Sequence, residues 1–186
     1  MSSSRTTQPT PSAGREPRLG VDIGRVLIDG SSHPDGADTA FFQGDEPTML
    51  ATPEMAGAFD ALHRLVPLFG GRVWLVSKCG PRVQGRTERW LAAHSFTERT
   101  GIPMENVRFC RERADKRVHC VHLGLTHFVD DRLDVHTAIH GVVDHHLLFG
   151  PKPRTLPDYV TAVDDWAAAE AVLVASLNPS EEPAAQ

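Results

Sequence analysis

The chain has 186 residues, 40% of them hydrophobic, enough to bury one core and too short for two comfortable domains. Its net charge of −5 argues against a general nucleic-acid binder, whose affinity rests on Lys and Arg neutralising phosphates. The three cysteines, Cys79, Cys110 and Cys120, form no CxxC pair and no disulfide framework, and no apolar run is long enough to cross a bilayer, so the expected setting is the cytoplasm, away from membranes.

Residues 1–17 and 177–186 are too poor in apolar types to offset their ordering entropy and read as tails around a single domain, 18–176. No apolar stretch follows Arg5, so neither a signal peptide nor an anchor is expected at the start. Within the domain, short apolar runs alternate with helix-period segments, the pattern of βαβ units around a parallel sheet. Strands are expected at 19–23, 72–76, 107–109, 126–129 and 142–148. The first helix follows Thr52 as N-cap and Pro53 in the first turn, with Met55, Phe59, Leu62, Leu65 and Val66 on one face. A second opens at Pro81 and turns Val83, Thr87, Trp90, Leu91 and His94 inward. The third carries a stripe of Ala114, Val118, Val121 and Leu125, with Gly124 as its C-terminal cap. A short helix at 132–140 is closed by Gly141, and the last, at 158–176, carries Val160, Val163 and Trp166. That final helix either closes the sheet or forms a subunit contact, so a homo-oligomer is compatible with the chain.

Charge is unevenly spread. Between Arg72 and Arg117 lie eleven basic residues against five acidic ones, which suits a phosphorylated ligand; a set of solvated helix faces is the plainer alternative.

Four sites carry candidate chemistry. Asp22, in LGVDIGRVLIDG, stands at the carboxyl end of the first strand, where ligands bind in open parallel sheets; there it can coordinate a metal and attack phosphorus, or simply shape a turn. Asp130 and Asp131, in THFVDDRLDV, are adjacent carboxylates at another strand end, an arrangement that a hard cation such as Mg²⁺ relieves. Their alternative is that Asp131 caps the helix that follows. Ser77 comes directly after a strand in RVWLVSKCGP, where its hydroxyl and the next backbone N–H groups make a phosphate cradle or it serves as a plain loop or cap residue. Lys116, at a helix start, either leans toward the same site and neutralises a transferring phosphoryl group or lies on the surface.

In sequence order these read strand-Asp, strand-Ser, helix-Lys, strand-Asp-Asp. That order resembles the four motifs of the haloacid dehalogenase (HAD) superfamily, over roughly residues 18–150. The resemblance implies an α/β fold: a three-layer, Rossmann-like parallel sheet of order 5-4-1-2-3 with a minimal cap. It implies Asp22 as nucleophile and metal ligand, the Gly24 carbonyl as a second ligand, and Asp130 and Asp131 completing a Mg²⁺ site. Ser77 and Lys116 would hold the phosphate, with Lys78 and Arg25 as further substrate contacts. The expected activity is a Mg²⁺-dependent phosphohydrolase or phosphotransferase working through an aspartyl-phosphate. Its substrate would be a phosphomonoester: a nucleotide, a nucleic-acid end (nucleic acid entering only as substrate) or a phosphoprotein.

The first motif departs from the family's usual Asp-x-Asp, reading Asp22-Ile23-Gly24. The missing second Asp normally supplies acid-base help of about 10²–10⁴-fold. Asp29, His33 and Asp35 are candidate substitutes, and a catalytically silent phosphate-binding or regulatory module is the alternative reading. The only local lid candidate is the loop 30–51, whose Phe41 and Phe42 either contact a base or a partner or tuck onto the core. His136 and His140 share a helix face, but His145 and His146 point to opposite sides of their strand, so a zinc site is not expected.

Overall fold

A computed structural model of the chain describes residues 15–30, 39–151 and 153–178. Six strands, β1 (Leu19–Val21), β2 (Val73–Lys78), β3 (Val107–Cys110), β4 (His127–Asp130), β5 (His145–Phe149) and β6 (Val160–Val163), form one sheet. All pairs are parallel, in the order β3-β2-β1-β4-β5-β6. This is the expected order read from the other edge, with β6 added outside β5. The helices are α1 (Thr39–Gln43), α2 (Glu46–Leu50), α3 (Ala58–Leu68), α4 (Pro81–Ala93), α5 (Phe96–Thr100), α6 (Lys116–Leu123), α7 (Leu133–Ile139) and α8 (Trp166–Leu177).

Side-chain alternation along the strands builds two cores, one on each face. Leu19 and Val21 of β1, Leu75 of β2 and Leu147 of β5 face a large cluster with Phe59, Leu62, Trp90, Trp166 and Leu173 from α3, α4 and α8. Val76 and Phe128 face the smaller one with Cys120, Val135 and Ile139 from α6 and α7. The result is three layers, α/β/α. Gly20 makes that packing possible, because a Cβ there would lie 2.5 Å from the Phe128 ring.

Several elements differ from the sequence expectation. The helix placed after Thr52 starts at Ala58, with Gly57 at its N-cap in the left-handed region (φ 76°). Residues 53–55 are drawn instead into extended pairing with the turn after β1: Asp29 N donates to Pro53 O, and Met55 N to Leu27 O. Residues 160–163 form β6, and the last helix begins only at Trp166, where Asp165 accepts from Ala168 N as its cap. On α6 the buried residues are Lys116, Cys120 and Leu123, while Val118 and Val121 of the expected stripe are more than half exposed. Gly124 does cap it, at φ 62°. Ser77 lies inside β2 rather than after it.

Residues 1–14 and 179–186, within the two expected tails, fall outside the described part, as do His33 and Asp35. Pro17 is tied to the body through its carbonyl, which accepts from Arg72 Nε at 3.1 Å. Among the described residues no helix is long and apolar enough to cross a membrane.

Candidate active site

The chain runs outward from β1 through β2 to β3, then crosses back to place β4 on the other side of β1. That reversal leaves a crevice at the carboxyl ends of β1 and β4, where parallel α/β sheets bind ligands. The register pairs Val21 with Val129, and Asp22 N continues the ladder onto Val129 O at 2.9 Å. Asp22 and Asp130 are therefore brought side by side by strand pairing.

Lys116 enters between them from the first turn of α6. Its ammonium lies 2.7 Å from Asp22 Oδ1 and 2.6 Å from Asp130 Oδ2, and the side chain is 2% exposed. The surface alternative for Lys116 is thus excluded, and the turn of α6 that buries it is the one that leaves Val118 and Val121 in solvent. Burial by itself would lower the lysine's pKa, but the two carboxylates outweigh it and hold the pKa above its ordinary value. The other oxygen of Asp130 accepts from Arg132 N at 2.9 Å, so both its oxygens are engaged. Behind it, His136 Nε2 is 3.2 Å from the Asp130 carbonyl. Asp131 makes no cap bond to α7, whose N-cap is Arg132.

One oxygen each from Asp22, Asp130 and Asp131 lies within 4.8 Å of the others. Burial, then the charge of Asp22, pushes Asp130 up to about 8 and Asp131 up to about 6, despite the opposing pull of Lys116 and, at Asp131, of Arg132 and Arg25. Asp22 Oδ1 is buried and, although ion-paired to Lys116, has no partner in hydrogen-bonding geometry. Three hard oxygen donors crowded together, one of them short of a hydrogen bond, fit a small divalent cation such as Mg²⁺.

These groups open onto a cavity of about 340 Å³. Asp22, Gly24, Arg25, Ser77, Lys78, Lys116 and Asp131 all line it, whereas Asp130 stays behind Lys116. At its edge α4 begins after Gly80 with no side-chain cap, leaving the first N–H groups of a thirteen-residue helix for an anion. The turn after Asp22 is tight: Ile23 O accepts from Leu27 N at 2.9 Å and Ile28 N at 3.1 Å. It holds Arg25 at φ 59°, a left-handed conformation that costs a non-glycine residue about 1–2 kcal/mol. Gly24 beside it has no such angle, and a Cβ there would meet nothing within 4 Å.

Sequence reasoning missed Arg113 and Arg132, which also line the cavity and share Asp134 as ion-pair partner, at 3.4 Å and 3.6 Å. Arg132 directly follows the Asp pair and Arg113 lies one turn before Lys116, so proximity to the motifs was the available signal. Of the two lid aromatics, Phe41 is buried and Phe42 exposed. His146 is buried and His145 exposed, as alternation on a strand requires.

No family model and no curated protein matches the chain at the level of sequence. Among solved structures it is similar to a haloacid dehalogenase-like family hydrolase from Xanthomonas campestris, with a TM-score of 0.59 and 14% sequence identity. The likeness covers 90% of this chain and 100% of that one. The chain has the fold of a haloacid dehalogenase-like hydrolase.

Proposed function

We propose that the chain is a Mg²⁺-dependent phosphohydrolase or phosphotransferase acting on a phosphomonoester through Asp22. The observation that carries this reading is the buried Lys116 ammonium held between Asp22 and Asp130 at a cavity that Asp131 and Ser77 also line. Asp22, the carbonyl of Gly24, Asp131 and Asp130 would hold the cation. Bound there, it would offset the repulsion between the Asp22 carboxylate and an incoming phosphate dianion.

Lys116 fixes one oxygen of Asp22 and leaves the carboxylate at the cavity wall, aimed at a phosphorus seated over Ser77 and the start of α4. Attack forms the Asp22–phosphorus bond as the ester oxygen departs with its electron pair. Ser77, Lys78 and Lys116 meet the phosphoryl oxygens, Arg25 adds positive charge at the mouth, and water or a second hydroxyl then takes the phosphoryl group from Asp22. Position 24 brings no side chain to protonate the departing oxygen. That favours good leaving groups or transfer, and it is also the one observation favouring a silent phosphate-binding module.

Phosphate release from p-nitrophenyl phosphate, with and without Mg²⁺, tests the proposal. Asp22→Asn keeps the shape of the side chain but neither attacks phosphorus nor binds metal as well, so release should vanish with the fold intact by circular dichroism. Wild-type turnover by folded Asp22→Asn protein would exclude the mechanism.

A further inference from the structure

Three side chains of α4 and its C-cap hold the segment 41–52 by its backbone. Arg86, 7% exposed, donates through Nε to Phe41 O at 2.6 Å and through Nη2 to Gly44 O at 2.7 Å. Trp90 Nε1 donates to Thr52 O at 2.7 Å, and His94 Nε2 lies 2.9 Å from Leu50 O. Positions 86, 90 and 94 recur every four residues and so share one helix face. These grips are all made to carbonyls, and an ion pair of Arg89 with Glu46 at 3.3 Å adds a side-chain tie between the same helix and segment.

The consequence appears at the cavity. Phe41, beside the carbonyl that Arg86 grips, is 4% exposed and packs edge-to-face on Phe42, ring centroids 5.7 Å apart. Phe42 is 40% exposed and lines the cavity together with Ile28 and Val83. Phosphate chemistry at Asp22 has no use for this apolar wall, and an exposed aromatic beside polar groups is a surface for a ligand's apolar part.

Building on the phosphate-site reading above, we infer that segment 41–52 is a fixed wall, held by Arg86 as its positioning residue, that selects phosphate esters whose leaving group carries a flat apolar ring. The phosphate end lies against Asp22 and Ser77, and the ring lies against Phe42.

Calorimetric titration of the full chain with Mg²⁺ and two inert phosphate-ester mimics, methylphosphonate and benzylphosphonate, separates the two readings. Benzylphosphonate should bind about tenfold more tightly, the scale of one aromatic contact plus partial ring burial. Phe42→Ala should bring the two ligands to within about twofold without changing the affinity for methylphosphonate. Arg86→Gln should do the same and speed amide hydrogen exchange over residues 45–52, while Arg86→Lys, which keeps a charged donor, should recover part of the preference. A purely structural role for Arg86 would lower the melting temperature and leave the ratio unchanged, which would overturn its positioning role. Equal binding of both ligands by the wild type overturns the wall while the phosphate site stands. Binding of neither overturns the phosphate site and this inference with it. Should Arg86→Gln fail to fold, Phe42→Ala decides: an unchanged ratio refutes the inference.

Discussion

Restoring a carboxylate at position 24 is the most direct probe of what the site lacks. In Gly24→Asp the new Cβ has open space, no atom lying within 4 Å, and the backbone is not in the left-handed region, so the substitution adds no clash and no φ strain. Replacing a loop glycine also restricts the unfolded chain, a gain of about 0.4–1 kcal/mol that works against the repulsion from the nearby Asp22 and Asp131. The fold should therefore survive, with Mg²⁺ bound at least as well as before. If proton delivery is the only missing element, alkyl phosphates, whose leaving oxygen needs a proton, should react about 10²–10⁴-fold faster. That gain equals about 2.7–5.5 kcal/mol off the barrier. Nitrophenyl phosphate departs with little help and should gain less than about tenfold. Phosphate release from a panel of alkyl and aryl esters measures the contrast, after circular dichroism and a Mg²⁺-dependent melting shift have shown the variant folded and metal-competent. A folded, metal-binding Gly24→Asp protein that gains on neither class would refute the reasoning.

Three further outcomes are expected. Millimolar Mg²⁺ should raise the melting temperature of the wild type, by about 2.7 kcal/mol of stability at a hundredfold excess over Kd, and far less in Asp131→Ala; equal indifference of both proteins would remove the metal site. Lys116→Met leaves Asp22 and Asp130 buried without their cation, so denaturant titration without metal at a pH above about 8, where Asp130 is ionised, should show a loss of about 3–5 kcal/mol, and a change under about 1 kcal/mol there would mean that the carboxylates are not ionised together. Asp130 and Asp131 have pKa values raised above the unfolded value, so the stability their protonation confers is complete below about pH 4 and is lost as pH rises through about 6 and about 8. Mg²⁺ competes with those protons, and the melting shift it produces should grow from pH 5 to pH 8 by up to about 1.4 kcal/mol per pH unit for each proton displaced. A shift independent of pH would show that these carboxylates do not bind the ion.

The histidines contribute a pH dependence of the opposite sign. Burial lowers His127 to about 3 and His136 to about 4, so their neutral forms add stability above pH 6.5 that is lost as the pH falls. Comparing melts with and without Mg²⁺ at each pH cancels the part due to His127, which packs against Phe69 and His145, whereas His136 lies against the Asp130 carbonyl and titrates as part of the site.

The sequence by itself determined five of the six strands and the placing of Asp22, Asp130 and Asp131 at strand ends. A buried parallel strand must be a short apolar run, and its end is marked where polar residues resume, so both can be read along the chain. Helix caps that depend on glycine, such as Gly124 and Gly141 at positive φ, were legible for the same local reason. Only the tertiary structure decided which face of α6 is buried, because Lys116 gains two carboxylates there and Val118 and Val121 give up burial in consequence. It also decided that 160–163 is a strand, since β5 offers an edge to pair with that no local pattern announces. The helix expected after Thr52 formed, but its first turn yielded to pairing between residues 53–55 and 27–29, a contact between segments far apart in sequence. The aromatic pair Phe41 and Phe42 was legible as a lid candidate, but its anchoring by Arg86, and the facing of Arg113 and Arg132 into the cavity, were decided by packing, because a charged residue read alone is a surface residue.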